Sequence, residues 1–207
     1  MDYQEKVPPC TIVLAALNVV VYVLLTLGGD TEDALYMLEK GAVYLPSIAA
    51  GEYYRILTSM FMHFGFMHLA NNMFMLVILG RYAEKAIGKI KFVLIYLIGG
   101  ITGNLLSLAV EWGNGDYSVS AGASGAVFAI LGALIWMAIK GRGYISGLTS
   151  QGLLFMAFIS LYNGLANGGI NNYAHLGGIA GGFLAALFLY RKKDTREGSM
   201  PRSGDNI

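Results

Sequence analysis

Ser124 stands in Gly122-Ala123-Ser124-Gly125, at the head of an otherwise apolar stretch. Small neighbours leave its hydroxyl without steric cover, which suits a nucleophile. A serine hydroxyl is a weak nucleophile by itself and needs a base beside it. The chain has three histidines to offer, His63, His68 and His175, all in or at the edge of apolar stretches. Ionisable groups in such places are expensive and mark functional sites by default. His68 and Asn72 are four residues apart and so share one helix face. Ser124, His175, His68 and Asn72 together supply a nucleophile, a base and two further polar side chains, the set that acyl transfer requires. Singly, each also fits a packing role, a serine bonding its own backbone or a histidine or asparagine bonding across helices. Hydrolysis consumes water, so these residues need a polar pocket inside an apolar scaffold.

The rest of the chain describes that scaffold. Of its 207 residues 56% are hydrophobic and only 13% charged, and the mean hydropathy is +0.57. A soluble domain carries about 25% charged residues, so the composition is that of an all-α polytopic membrane protein. A net charge of +1 gives no sign of a nucleic-acid partner. The single cysteine, Cys10, excludes an internal disulfide and a cysteine-held metal cluster. No cofactor and no metal is expected.

A spanning helix needs roughly 20 apolar residues. Six stretches qualify as spans: 9–28, 60–80, 90–110, 121–139, 150–166 and 172–190, the fifth short and glycine-interrupted. The first lacks the basic leader and short apolar core of a secretory signal, so a retained helix is expected. With both termini cytoplasmic, twelve of the fourteen Lys and Arg residues lie inside and only Lys40 and Arg55 outside, as the positive-inside rule requires. The expected organisation is a short cytoplasmic N-terminus (1–8), a six-helix membrane domain (9–190) and a polar cytoplasmic tail (191–207). The long external loop, about 29–59, is half apolar and can lie in the membrane interface.

Spans 2, 4 and 6 then run from outside to inside. At a rise of ~1.5 Å per residue, Ser124 lies about 22 Å above Ile139, His175 about 22 Å above Tyr190 and His68 about 18 Å above Gly80. In a core of ~30 Å all three fall in the outer half at similar depth, which suggests one polar site opening outward. Glycine pairs at four-residue spacing, Gly177 with Gly181 and Gly178 with Gly182, let helix backbones approach closely. His63, five residues before His68, points off that face and reads as a structural histidine.

These motifs in order resemble the rhomboid intramembrane serine proteases of the bacterial six-helix type. The likeness runs over about 41–190. It is carried by Gly51-Glu52-Tyr53-Tyr54-Arg55, by His63-Phe64-Gly65-Phe66-Met67-His68 with Asn71 and Asn72, and by Gly80 with Glu84. Gly99 to Ser107 continues it, followed by Gly122 to Gly125 and Ala174-His175-Leu176-Gly177-Gly178 with Gly182.

The resemblance implies a Ser124–His175 dyad without an orienting carboxylate. It assigns the oxyanion to the His68 and Asn72 side chains and the Ser124 backbone N–H, with Gly122 shaping the turn. It implies cleavage of transmembrane protein substrates in the lipid bilayer of a cell membrane, with the site open to the extracytoplasmic side. Two departures stand out. Phe128 replaces a common tyrosine four residues after the serine, and Tyr54 replaces a common tryptophan before Arg55. Phe128 keeps a ring to pack on His175 but no hydroxyl. The alternatives are a catalytically inactive rhomboid-like binder of membrane helices, and a small-solute transporter, which the lack of a coupled carboxylate within the spans and of a visible inverted repeat disfavours. The oligomeric state is not legible in the sequence.

Overall fold

The computed structural model describes residues 6–167 and 170–191. Of the expected terminal segments 1–8 and 191–207, residues 1–5 and 192–207 lie outside the described residues.

The first apolar stretch forms α1 (Pro9–Gly28), with a proline at its first turn. Proline suits that position because the N–H it lacks would have no helical partner. Helix α1 has no side-chain cap of its own. The buried carboxylate of Glu84 serves instead, accepting from the Cys10 N–H (3.0 Å), the Thr11 N–H (2.7 Å) and the Thr11 hydroxyl (2.8 Å). An anion at a helix N-terminus meets free N–H groups and the positive dipole end. Further along, Asn18 donates to the hydroxyl of buried Tyr96 at 3.2 Å, a second tie between α1 and the bundle.

The loop 29–59 folds into three short helices, α2 (Ala34–Lys40), α3 (Leu45–Ala49) and α4 (Arg55–Thr58). Asp33 caps α2, accepting from Leu35 N–H at 2.7 Å. Arg55, only 6% exposed, is the knot of this region. Its guanidinium donates to the carbonyls of Leu38 and Ala42 and to the Glu52 carboxylate. That hydrogen bond holds the Glu52 carboxyl below the usual carboxylate range. An antiparallel bridge between Val43 and Ser120 pins the loop to the segment leading into Ser124, each N–H donating to the other's carbonyl at 2.9 Å.

The second stretch departs from the continuous span expected over 60–80. A 3₁₀ turn (Ser59–Phe61) leads to an extended link, and α5 (Gly65–Ile87) starts only at Gly65, bent by 88° from Arg55–Phe61. Gly65 turns the chain at φ +72°, a region open to glycine. The break leaves His63 outside any helix.

The remaining helices are α6 (Lys89–Asn114), α7 (Ser124–Lys140), α8 (Ser150–Asn167) and α9 (Asn172–Leu189). A hairpin of two strands, β1 (Tyr144–Ile145) and β2 (Leu148–Thr149), joins α7 to α8. It is a small exception to the all-α expectation. Among the described residues α1, α6 and α9 are long and apolar enough to cross a membrane, and the bent pair of Arg55–Phe61 with α5 makes up to four. The six expected spans are thus matched only in part by this measure. Helix α5 carries Arg81, Glu84 and Lys85 in its last turns, and α7 is apolar but only 17 residues long.

Helix α7 is the centre of the bundle, with twelve of its seventeen residues buried. Helices α6 and α9 clasp it through glycine. Gly178 and Gly182 of α9 lie against the backbone of Gly125 and Ala129 on α7, so closely that a Cβ on either would overlap a carbonyl oxygen. Gly177 and Gly181 lie on the other side, against Thr102 of α6. The two interleaved glycine pairs therefore serve two different neighbours. The Thr102 hydroxyl also donates to the Gly177 carbonyl at 3.0 Å.

Candidate active site

Ser124 is the first residue of α7, and the turn before it is tied down from several sides. Gly122 donates its N–H to the Ser59 carbonyl at 2.9 Å, while Asn104 of α6 donates to the Ser59 hydroxyl at 3.0 Å and the Ile56 carbonyl at 2.8 Å. Gly122 has φ +148° and lies so near His68 that a Cβ there would be 2.9 Å from the imidazole. Glycine is needed on both counts. His63, fully buried, accepts the Ala123 N–H on Nε2 at 3.3 Å. The expected structural histidine therefore has a specific partner, the residue before Ser124. No side chain caps α7 at Ala123. Its first N–H groups and positive dipole end face the site, an arrangement that favours an anion there.

His175 lies in the first turn of α9, 7% exposed. Asn171 caps that helix, its Oδ1 accepting the Ala174 N–H at 3.0 Å. The Phe128 ring stacks on the imidazole with centroids 4.0 Å apart and planes 15° from parallel. Phe128 is one turn beyond Ser124 on α7, so one helix carries both the serine and the ring that orients the histidine. His175 Nδ1 has no hydrogen-bond partner, and no carboxylate forms an ion pair with the ring, among the described residues. Ser124 and His175 share a cavity without a direct hydrogen bond between them.

His68 and Asn72 lie on the wall formed by α5. The edge of the His63 ring meets His68 at 5.2 Å between centroids. Asn72, buried, donates to the His68 carbonyl at 2.9 Å, which occupies its amide within its own helix.

A cavity of about 740 Å³ is lined by all six residues singled out in the sequence: His68, Asn72, Gly122, Ser124, Phe128 and His175. Asn71, Asn104, Ser120, Ser160 and Asn171 line it as well, and the sequence reading gave them no role at the site. For Asn71, Asn104 and Ser160 the signal was present, since a polar side chain within an apolar stretch requires a reason, whereas Ser120 and Asn171 stand just before the stretches that carry Ser124 and His175. No group of three or more metal-binding side chains occurs among the described residues.

These features define a multi-pass helical membrane protein with a polar, serine- and histidine-lined cavity among its helices. The chain belongs to the rhomboid family, whose domain matches residues 50–192. It is 36% identical over 187 residues to the rhomboid protease GluP of Bacillus subtilis, covering 90% of this chain and 36% of GluP. YdcA, another rhomboid-named protein of that strain, is 33% identical over 153 residues, 74% of this chain and 75% of YdcA. Rhomboid-like protease 1 of Toxoplasma gondii is 32% identical over 195 residues, 87% of this chain and 64% of that protein. The chain thus spans about a third of GluP and three quarters of YdcA.

Proposed function

We propose that this protein is an intramembrane serine endopeptidase acting on transmembrane protein substrates. The observation that carries the reading is the shared cavity. Ser124 enters it from the start of α7, and His175 enters it from α9 with its ring held flat by Phe128. His68 lies against Gly122 of the serine's turn, and Asn72 lines the same cavity one turn along α5; burying such polar side chains is costly where apolar ones would pack.

In this mechanism the Ser124 Oγ attacks the carbonyl carbon of the scissile bond, and His175 takes its proton. Burial of Nδ1 without a partner leaves Nε2 as the nitrogen for that transfer. The oxyanion is stabilised by the Ser124 N–H at the start of α7 and by the His68 and Asn72 side chains. Such preorganised donors are worth about 10²–10³ in rate each. His175 then protonates the leaving amine. A water, activated by the same histidine, hydrolyses the acyl-serine. Asn72 must turn its amide from the His68 carbonyl toward the oxyanion, a rotation within one side chain. The substrate helix must unwind locally, because its peptide bonds are otherwise hydrogen-bonded within it. That requirement favours glycine, proline or small residues near the cut.

The membrane domain is taken as 9–190 with six spans, both termini cytoplasmic and the cavity open to the extracytoplasmic side of a cell membrane. The charge distribution supports this orientation, with twelve of fourteen basic residues on one side.

Reconstituted protein should cleave tagged single-span substrates at a mappable bond, and Ser124→Ala should cleave none. A fluorophosphonate probe should label the wild type in a manner that requires both Ser124 and His175. Substrate capture without cleavage or labelling would instead identify a binder of membrane helices.

A further inference from the structure

A second cavity, of about 710 Å³, lies beside the first. Val119, Ser120, Ile170 and Asn171 line both, so the two share a wall. The second is acidic. Glu111 lines it from the last turn of α6 and is 9% exposed, and Asp116 lines it from the following loop. No lysine or arginine lines it. One Glu111 oxygen accepts the Ser118 hydroxyl at 2.9 Å, whereas Oε2 is buried with no partner.

The helix end does not stabilise this carboxylate, and its hydrogen bonds from Ser118 and Ser107 reach only one of its two oxygens. The C-terminal end of a helix carries partial negative charge and disfavours an anion. A buried charge without a counter-ion is costly. Helix stability therefore does not explain Glu111, and the hydrogen bonds it accepts leave Oε2 unused. An incoming cation would explain it.

We propose that this second cavity receives a basic side chain, a lysine ammonium or arginine guanidinium, of the substrate close to its scissile bond. The inference rests on the proteolytic reading of the first cavity. Continuity through Ser120 and Asn171 makes the occupant part of the same bound chain. Ser120 is four residues before Ser124, and Asn171 caps the helix that carries His175. Asn171 also donates to Ser107 at 2.6 Å, and Ser107 lies 3.5 Å from Glu111. The carboxylate and the histidine's helix are thus braced by one hydrogen-bonded chain. A guanidinium can bond two acceptors at once, here Glu111 Oε2 and Asp116. A divalent metal is disfavoured because the described residues hold no third carboxylate, histidine or cysteine at this place.

The test is a substrate series cleaved by the full chain in proteoliposomes. Arg, Lys, Gln or Met is placed in turn at each of the three residues on either side of the mapped cut. At one position Arg or Lys should raise kcat/KM over Gln by about tenfold or more, the range expected of a hydrogen bond to a charged group. Glu111→Gln should collapse that ratio toward one. Asp116→Asn, a change at an exposed loop residue, should reduce it. The ratio is the readout, so a general loss of rate does not mimic the effect. The proposal is overturned if no position prefers a basic residue, or if the preference is the same in both variants as in the wild type. It is equally overturned if chelation of divalent cations abolishes the preference in the wild type. A wild type that cleaves no substrate, or cleavage that persists in Ser124→Ala, would instead overturn the serine-protease reading itself.

Discussion

The ring of Phe128 lies 4.0 Å from the ring of His175, tilted by 15°, and the two residues come from α7 and α9. The stack fixes the imidazole plane without any hydrogen bond, in a site where no carboxylate does so. An aromatic pair is worth about 0.5–1.5 kcal/mol beyond its buried area. Phe128→Ala should lower kcat by about tenfold at most, since each ~1.4 kcal/mol is a factor of ten. Phe128→Tyr should retain most of the activity. Steady-state rates on one fixed substrate check both, and a fully active Phe128→Ala would remove the ring from the account.

His63 holds the Ala123 N–H, and both residues are completely buried. His63→Phe keeps an aromatic ring but removes the acceptor. A buried donor left without a partner costs about 1–3 kcal/mol. The turn that presents Ser124 should loosen, so fluorophosphonate labelling should slow by about tenfold. A labelling rate equal to that of the wild type would show that the turn is held by Ser59 and Asn104 alone.

Asn72 tests the oxyanion assignment. Asn72→Ala should lower kcat by about 10²–10³ with a smaller change in KM, because the interaction is strongest in the transition state. A change in KM alone would assign Asn72 to substrate binding.

Gly178 tests the close approach of α7 and α9. A Cβ at this position overlaps the Gly125 carbonyl oxygen, which is backbone and cannot rotate away. Gly178→Ala should destabilise the protein by about 1–3 kcal/mol, the usual cost of overpacking. Gly178→Leu should abolish activity while the protein remains in the membrane fraction. Gly113→Ala, with nothing within 4 Å of the new methyl group, is the control and should leave stability unchanged or raised. Thermal unfolding in detergent separates these outcomes.

Much of the site was legible because polar chemistry stands out against an apolar background. Ser124, His68, Asn72 and His175 are recognisable among Leu, Ile and Val, where each needs a reason to be present. The glycine spacing in α9 was legible too, since a four-residue repeat maps to one helix face. Its double use was not. That Gly177 and Gly181 meet α6 while Gly178 and Gly182 meet α7 depends on where two other helices lie. The bend before Gly65 was also hidden, because Met60 to Phe64 reads as apolar and helical until a long-range hydrogen bond draws His63 to Ala123.

By itself the sequence determined the membrane class, its apolar stretches and the polar residues proposed for acyl transfer. These follow from local composition and helical period, which neighbours in the chain dictate. The tertiary structure decided which of them meet. It brought Ser124 and His175 into one cavity, placed Phe128 on the imidazole and put His63 behind the turn. It also left Glu111 buried with an unpartnered oxygen beside that cavity. Those relations join residues tens of positions apart, and only the close packing of α6, α7 and α9 sets the distances between them.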